Sequence, residues 1–398
     1  MRSVAVCFTN FGPYHLARLR ALAHALAESR TRLIAYEMAG SQAIYPWMTA
    51  RNEEPFTWVT LFPDRELEAI PSHACQREMK QALDRDQPDA LGIVGYSRPE
   101  SMAMLRWARG RGVPTVLMSE SQRMDHPRVW WKEAIKRRRV TRFSAGLVGG
   151  PRHRDYLVDL GMPAERIALG YNAVDGASYA AAAERCRRDP SGRAGLPEAP
   201  YFLAVSRFVA EKNLVRLVEA YARYRDRTSE PPWDLVLCGD GPDAAEIGRA
   251  ITSSGHASSI HRPGFLQAEP LARWYAFAGA FVHPSLMEPW GLVVNEAAAC
   301  GLPLLVSDRA GCVETFVPEG AHSTGARLDG HAVDSLAEKL DWMSGRSVAE
   351  RAAMGRRAAE IAQEWGPERF ARGTVEAIAI ASAHVRQSKR RSRNVIEV

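Results

Sequence analysis

Two glutamates separated by seven residues have the spacing in this sequence most suited to chemistry. Glu288 follows the apolar run 280–283 and a Pro-Ser turn, and Glu296 lies on the helix predicted to open at Gly291 and Leu292. A helix that begins there aims its N-terminal amides at the carboxyl ends of the strands, where an anion such as a diphosphate binds. The two carboxylates would accept hydrogen bonds from the sugar and ribose hydroxyls beside that anion. The simpler alternative is that Glu288 is a solvated loop residue and Glu296 a surface residue of the helix.

Arg207 and Lys212 form a second candidate group, in the loop that follows the apolar run 201–205. Two fixed cations in a strand-to-helix loop would neutralise a departing diphosphate, which makes both residues candidates for catalysis. Exposed cations that do no chemistry are common in such loops, so an idle surface pair is the alternative.

A glycine-rich turn is the third candidate. Gly239, Gly241 and Pro242 follow the apolar run 235–237, and the segment matches the pattern GxGxxA. A dinucleotide site would need an acidic residue about 20 residues further on. Residues 260–262 contain no such residue. We therefore interpret the glycines as a tight turn beside the bound ligand.

The first half of the chain carries weaker candidates. Gly12 occupies the turn after the first predicted strand, where backbone can approach a phosphate, although a turn can need glycine without any ligand. Glu120 and Asp125 follow the predicted strand 113–118, so either could orient a substrate, and helix capping explains part of the same composition. Glu120 is kept as a candidate catalytic residue. His15 could act as a base, but capping explains it more simply.

Short apolar runs alternate with amphipathic helical stretches along the chain, which predicts an α/β protein with doubly wound parallel sheets. Turn and linker residues at 172–196 divide the pattern, so we predict one domain over 1–178 and a second over 179–366. A helix at about 367–385 could pack back on the first domain, and 386–398 is interpreted as a basic disordered tail.

The composition fits an ordered protein of two domains. The chain has 398 residues, of which 46% are hydrophobic and 25% charged. Its six cysteines are scattered without a CxxC pair, which indicates reduced thiols, and no apolar run is long enough for a membrane span. These features predict a cytoplasmic location. The sequence has no phosphate-binding-loop, GxSxG or HExxH motif, and no metal-ligand constellation stands out.

The net charge of +6 is concentrated in 132–142 and 389–393. Neither an RNA-binding aromatic signature nor zinc-finger spacing accompanies these clusters, so nucleic acid is not expected as a partner. The segment 129–139 also carries Trp130 and Trp131, and it would suit peripheral contact with the anionic inner face of a membrane. A plain amphipathic surface helix is the simpler explanation.

Four motifs in order give the chain a resemblance to a known family. They are Gly170-Tyr171-Asn172-Ala173-Val174-Asp175, Ser206-Arg207 with Glu211-Lys212-Asn213, Gly239-Asp240-Gly241-Pro242, and the segment PSLMEPWGLVVNEAAACGLPLLVSD. With them the sequence resembles, over essentially its whole length, the family four retaining glycosyltransferases, also called glycosyl transferases group 1. The resemblance implies the GT-B fold, in which two Rossmann-like doubly wound domains face each other across a cleft. The N-terminal domain would bind the acceptor and the C-terminal domain the nucleotide-sugar donor.

The resemblance also implies roles for the candidate residues. Arg207 and Lys212 would hold the donor diphosphate, Glu288 would contact hydroxyls of the transferred sugar, and Glu296 would bind the ribose. Gly12 matches the glycine of the family's N-terminal loop.

Three departures from the family pattern concern the first domain. Paired glycines are usual where this chain has Phe11-Gly12, and glycine is commoner than alanine at position 173. These two departures predict that the substrate approaches the first domain differently. Many relatives place a histidine where this chain has Ser119-Glu120, so no catalytic histidine is assigned there.

The implied activity is transfer of a hexose-type sugar from a UDP- or GDP-sugar to a glycan, lipid-linked or small-molecule acceptor. Such enzymes are thought to react on one face of the sugar, with the leaving phosphate helping to deprotonate the acceptor. Neither an obligatory metal nor another cofactor is therefore expected. Two alternatives stay open: a nucleotide-sugar-binding partner protein without transfer activity, and a sugar-nucleotide epimerase or a phosphorylase of similar architecture.

Overall fold

The computed structural model of the protein describes residues 1–42, 52–189, 191–320 and 323–396. Its internal contacts divide the chain into two compact units. Unit 1 contains Met1–Arg123, Pro127–Val174 and Pro367–Val398, and unit 2 contains Met124–His126 and Asp175–Gly366.

Unit 1 is built on a parallel sheet that has seven strands within the described residues. In chain order they are β1 (Ser3–Phe8), β2 (Arg32–Ser41), β3 (Thr57–Glu66), β4 (Ala90–Val94), β5 (Thr115–Ser119), β6 (Ala145–Val148) and β7 (Ile167–Leu169). Their spatial order is β3-β2-β1-β4-β5-β6-β7. The order reverses between β1 and β4, and in doubly wound sheets ligands bind beyond the strand ends at such a reversal.

The described helices of unit 1 cover both faces of this sheet. They are α1 (Pro13–Ala27), α2 (Ser72–Asp86), α3 (Pro99–Arg111), α4 (Trp130–Val140), α5 (Pro151–Asp159) and a C-terminal helix, Pro367–Ile396, which is α14 in chain order. Because helices lie on both faces, β1 is buried at every position.

Helix α14 belongs to unit 1 and packs on α1. The disordered tail predicted at 386–398 is wrong as far as Ile396, because the helix continues to that residue; residues 397 and 398 lie outside the described part of the chain. Glutamine, lysine and arginine have high helix propensity, so a basic sequence can extend a helix that packing has already nucleated.

Unit 2 repeats the architecture on a second parallel sheet. Its strands within the described residues are β8 (Tyr201–Val205), β9 (Asp234–Cys238), β10 (Ile260–Gly264), β11 (Ala280–His283), β12 (Leu304–Ser307) and β13 (Gly325–Leu328). They lie in the order β10-β9-β8-β11-β12-β13, which reverses between β8 and β11. The prediction of an α/β protein with two doubly wound sheets is confirmed.

The helices described in unit 2 are α6 (Gly176–Arg188), α7 (Leu214–Arg227), α8 (Ala244–Ser253), α9 (Ala268–Phe277), α10 (Leu292–Ala299), α11 (Val313–Phe316), α12 (Val333–Ser344) and α13 (Val348–Glu364). Helix α6 lies in the segment predicted as a linker, so the predicted boundary between 178 and 179 falls inside a helix. Asp175 caps this helix by accepting a hydrogen bond from the Ser178 amide at 3.1 Å, and the alanine-rich sequence continues it. Position 190 of the predicted linker lies outside the described residues.

Three strands that the apolar runs did not predict are β7, β10 and β13, and each lies at an edge of its sheet. The sequences of β10 and β13 are IHRPG and GARL. An edge strand has a neighbour on one side only, so it tolerates the proline, glycine and charged residues that interrupt an apolar run.

Candidate functional site

The candidate residues of unit 2 lie at the reversal of its strand order. Strands β8 and β11 are neighbours, with Ala280 opposite Phe202. The chain leaves β8 into the loop of Arg207 and Lys212, and it leaves β11 into the loop of Glu288. Two loops that are distant in sequence therefore meet at the carboxyl edge of one sheet.

Lys212 and Glu288 form an ion pair at this edge, between Nζ and Oε2. His283 Nε2 lies 2.9 Å from the same carboxylate oxygen, and Ser285 Oγ lies 3.1 Å from His283 Nε2. Because an ionised carboxylate can only accept, His283 carries its proton on Nε2. We call Lys212, Glu288, His283 and Ser285 the switch-point cluster.

The surroundings of Glu288 decide its charge. Burial raises the pKa of Glu288, but the charge of Lys212 and the hydrogen bond from His283 outweigh burial and lower the pKa to about 2. Glu288 is therefore a fixed, ionised acceptor at neutral pH. The plainer alternative of a solvated loop glutamate is wrong, because the residue is 9% exposed.

Asn213 holds the cationic loop against the β11 loop. Its backbone has a φ of 61°, in the left-handed region that asparagine tolerates. Its buried side-chain amide donates to the carbonyls of Pro284 and Gly330 at 3.1 and 2.8 Å. Asn213 is thus held by hydrogen bonds to residues distant in sequence. These bonds fix the backbone from which the neighbouring Lys212 side chain extends.

The glycine turn after β9 packs against the backbone after β8. A Cβ atom at Gly239, whose φ is 143°, would lie 1.8 Å from the carbonyl oxygen of Ser206. Gly241 is similarly close to the Phe208 backbone, which also donates its amide to the Asp240 carbonyl at 2.8 Å. The glycines therefore position the loop that carries Arg207, and the neighbouring Pro242 is exposed.

Gly291 opens helix α10 beside Glu288. Its φ of 103° is unfavourable for other residues, and a Cβ atom there would lie 3.3 Å from Glu288 Cγ and 3.5 Å from His283 Nε2. Helix α10 begins with Leu292, one residue after the predicted start at Gly291. Its N-terminal amides consequently start next to the switch-point cluster.

Glu296 lies further along α10 and is buried, with 1% of its surface exposed. Tyr275 on α9 donates its hydroxyl to Glu296 Oε2 at 2.8 Å. A surface position for this glutamate is therefore wrong. Arg207, in contrast, is exposed in the loop after β8, where a bound anion can reach it.

In unit 1 two backbone amides of the first strand-to-helix turn donate hydrogen bonds to side chains. Gly12 has a φ of −96°, which other residues also adopt, and its amide donates to His15 Nδ1 at 3.1 Å. The buried Glu37 accepts the Phe11 amide at 3.0 Å. Burial, followed by the charge of Arg18, lowers the pKa of His15 to about 3, so its ring is neutral. His15 is a capping residue here.

Glu120 is exposed at the end of β5 and accepts a hydrogen bond from Asn172 at 2.8 Å. Asn172 belongs to the segment 170–175, whose Ala173 carbonyl accepts Arg18 Nε at 2.9 Å. The segment that follows β5 and the segment 170–175 are therefore in contact. Asp125, the alternative to Glu120, belongs to unit 2.

Sequence reasoning missed three residues of the site: His283, Ser285 and Asn213. A histidine as the last residue of a buried strand, two residues before a serine, was the available signal for His283 and Ser285. For Asn213, the signal was an asparagine directly before a helix.

Within the part of the chain that the structure describes, no group of three or more His, Cys, Asp or Glu side chains could hold a metal ion. The six cysteines are free thiols. Among the described helices, none combines the length and the apolar character of a membrane span.

Comparisons with known proteins find a family model that matches part of the chain. Residues 192–361 match the family model described as glycosyl transferases group 1. Over 385 residues, the chain is 28% identical to the D-inositol 3-phosphate glycosyltransferase of Paenarthrobacter aurescens, and the alignment covers 90% of each chain. It is also 30% identical, over 38% of its length and 42% of the relative, to the GDP-mannose-dependent alpha-(1-6)-phosphatidylinositol monomannoside mannosyltransferase of Mycolicibacterium smegmatis.

Solved structures of other proteins share the fold of this chain. Sucrose-phosphate synthase from Thermosynechococcus elongatus aligns with a TM-score of 0.70 and 18% identity, over 100% of both chains. At this identity the likeness concerns the fold alone.

Proposed function

We propose, from the premise that this chain belongs to the glycosyl transferases group 1 and is a glycosyltransferase of the GT-B fold, that it is a retaining enzyme using a UDP- or GDP-sugar donor. The proposed acceptor is a glycan, a lipid-linked sugar or a small molecule. For a lipid-linked acceptor, the enzyme would work at the inner face of a membrane. The names of the relatives support a nucleotide-sugar donor, since one of them is GDP-mannose-dependent.

The observation that carries the proposal is the switch-point cluster at the reversal of the unit 2 sheet. The cluster combines a cation, Lys212, with an ionised carboxylate, Glu288. Helix α10 begins beside it, at the same edge of the sheet. A nucleoside diphosphate sugar needs these three features: positive charge and amides for the phosphates, and an acceptor for hydroxyl groups.

The cations would serve the diphosphate. Arg207 and Lys212 neutralise the charge that develops when the phosphate leaves, and the amides at Gly291 and Leu292 bind phosphate oxygens. The turn of Gly239, Gly241 and Pro242 keeps the Arg207 loop in place beside the donor. Lys212 can contact a phosphate while it stays paired with Glu288, because an ammonium group has three donor hydrogens.

The carboxylates would serve hydroxyl groups. Glu288 accepts from hydroxyls of the transferred sugar, and its low pKa keeps it an acceptor across the physiological range. Glu296 binds the ribose while it keeps the hydrogen bond from Tyr275, because a carboxylate oxygen can accept more than one hydrogen bond. In unit 1, the Gly12 backbone would approach a phosphate, and Glu120, oriented by Asn172, would assist catalysis.

In the proposed reaction, the bond between the anomeric carbon and the phosphate oxygen breaks while the acceptor oxygen bonds to the same face of that carbon. The acceptor proton passes to the leaving phosphate, so no enzymic nucleophile takes part. Fixed cations replace a metal ion in stabilising the diphosphate, and we propose that catalysis needs no metal.

Release of nucleoside diphosphate from a panel of UDP- and GDP-sugars, with and without acceptors, tests this function. We expect release that depends on acceptor, persists in EDTA, gives a product with the donor's anomeric configuration by NMR, and falls in Arg207→Ala. Arg249→Ala, an exposed arginine on α8, is the matched control and should retain wild-type rates. Inversion of configuration, loss of activity in EDTA, or equal rates in Arg207→Ala would each contradict a part of the proposal.

A further inference from the structure

Helix α4 of unit 1 presents its polar and apolar sides in the reverse of the usual order. Within the helix Trp130–Val140, Val140 is the one buried residue. An ordinary surface helix turns its apolar stripe toward the core and its charges toward water. Helix α4 does the opposite along most of its length.

Charged side chains of α4 face the protein. Glu133 accepts the Tyr156 hydroxyl at 2.8 Å, and Lys136 donates to Glu133 at 2.8 Å and to the same hydroxyl at 3.0 Å. Arg128 donates to that hydroxyl at 2.7 Å and stacks over the Tyr156 ring. This hydrogen-bonded network fixes which side of α4 points outward.

The outward side carries the apolar residues. Trp130 is 82% exposed, Trp131 48% and Ile135 45%, and Ala134 between them is also exposed. At about 100° of rotation per residue these four positions share one face, opposite Glu133 and Lys136. Trp130 has the highest exposure among the large hydrophobic residues recorded as exposed in the described chain.

Cations flank this apolar face. Lys132 and Arg137 are exposed at its two borders, and Arg138 is exposed one turn further along. Residues 132–142 contain six cations and one carboxylate, a net charge of +5, while the whole chain has a net charge of +6. One of the two basic clusters of the chain therefore lies on the helix that exposes Trp130 and Trp131.

We propose that the outward face of α4 docks on an anionic membrane, with Trp130, Trp131 and Ile135 in the interfacial layer and the flanking cations on lipid phosphates. Tryptophan prefers the boundary between headgroups and acyl chains, and basic residues beside an apolar face bind anionic lipid. A second copy of the chain is the less suitable occupant, because two such faces would bring like charges together. The docking is independent of the donor chemistry.

Flotation of the full-length protein with lipid vesicles tests the docking. We expect binding to vesicles of equal parts phosphatidylcholine and phosphatidylglycerol, little binding to phosphatidylcholine alone, and a decrease as salt rises. The double variant Trp130→Ala and Trp131→Ala should bind the anionic vesicles at least about tenfold more weakly, because both rings are exposed in the free protein. Arg137→Gln with Arg138→Gln should also weaken binding and flatten its salt dependence.

Two controls separate this docking from general stickiness and from misfolding. Arg356→Gln with Arg357→Gln removes two consecutive exposed arginines from α13 of unit 2 and should bind as the wild type does. Circular dichroism and Tm should be unchanged in the tryptophan variant. Wild-type protein that does not float, or a tryptophan variant that floats equally well, would overturn the proposal.

Sedimentation without lipid gives the remaining outcome. If the tryptophan variant converts a dimer to a monomer, the face belongs to an interface between copies and the membrane proposal is wrong. Vesicle binding requires neither donor nor acceptor, so its failure is distinguishable from a failure of the proposed transferase activity.

Discussion

At the reversal of strand order in unit 2, one loop presents Arg207 and Lys212 and the neighbouring loop presents an ionised Glu288. At the corresponding reversal in unit 1, the first turn of α1 carries His15, which burial keeps neutral, and the Gly12 amide donates to that histidine. The sheets have the same strand order around these points. Topology therefore supplies two equivalent crevices, and the residues at the strand ends give these crevices different charge.

The largest effect should come from removing the cation of the switch-point cluster. Lys212→Met is expected to lower kcat/KM by roughly 100- to 1,000-fold, the usual effect of losing one group that stabilises developing charge. Initial rates of nucleoside diphosphate release measure this. Lys80→Met, an exposed lysine on α2 of unit 1, should leave the rate unchanged. Equal losses in the two variants would remove the contrast between the units.

A pH-dependent stability difference should distinguish Glu288 from other glutamates. Lowering its pKa from 4.5 to about 2 stabilises the folded protein by about 3 kcal/mol above pH 4.5. This contribution decreases as pH falls from 4.5 to 2, and about half should be gone at pH 3.

Urea unfolding of wild type and Glu288→Gln measures that contribution, because glutamine cannot ionise. The difference in the free energy of unfolding should be larger at pH 7 than at pH 3. Glu338→Gln, an exposed glutamate on α12, should show no such pH dependence. A constant difference for Glu288→Gln would mean that the carboxylate is not held ionised by Lys212 and His283.

The close backbone approach at Gly239 should make unit 2 sensitive to a single methyl group. Gly239→Ala would clash with the Ser206 carbonyl at a positive φ, so we expect a loss of about 2 kcal/mol in stability and weaker donor binding. Thermal unfolding and donor titration measure these effects. Gly110→Ala, in α3 of unit 1 with open space around it, should instead stabilise by up to about 1 kcal/mol.

The smallest effect at pH 7 should come from the first strand-to-helix turn of unit 1. His15→Ala removes the acceptor for the Gly12 amide and should cost about 1 kcal/mol. Burial lowers the pKa of His15 from 6.5 to about 3, so the wild type should lose stability as pH falls through this range, and the variant should lack that part of the slope. Urea unfolding at pH 7 and 4 measures the slope. His24→Ala, exposed on the same helix, should retain it.

Much of the fold was predictable from the sequence. The apolar runs at 201–205, 235–237, 280–283 and 302–306 correspond to β8, β9, β11 and β12, because strands covered by helices on both faces are apolar throughout. Edge strands such as β10 and β13 were missed, since a strand with one neighbour tolerates proline, glycine and arginine. The disorder predicted for the C-terminal segment is wrong as far as Ile396, because packing on unit 1 starts a helix that lysines and arginines can continue.

The sequence by itself determined which chemical groups follow each strand: Arg207 and Lys212 after β8, the glycines after β9, and Glu288 with Gly291 after β11. Only the tertiary structure decided that Lys212 pairs with Glu288 across 76 residues of chain, and that His283 and Ser285 join them. The physical reason is that periodicity and turn chemistry act between neighbours in sequence. The pKa of Glu288 and the space around Gly239 depend on which strands become neighbours in the sheet.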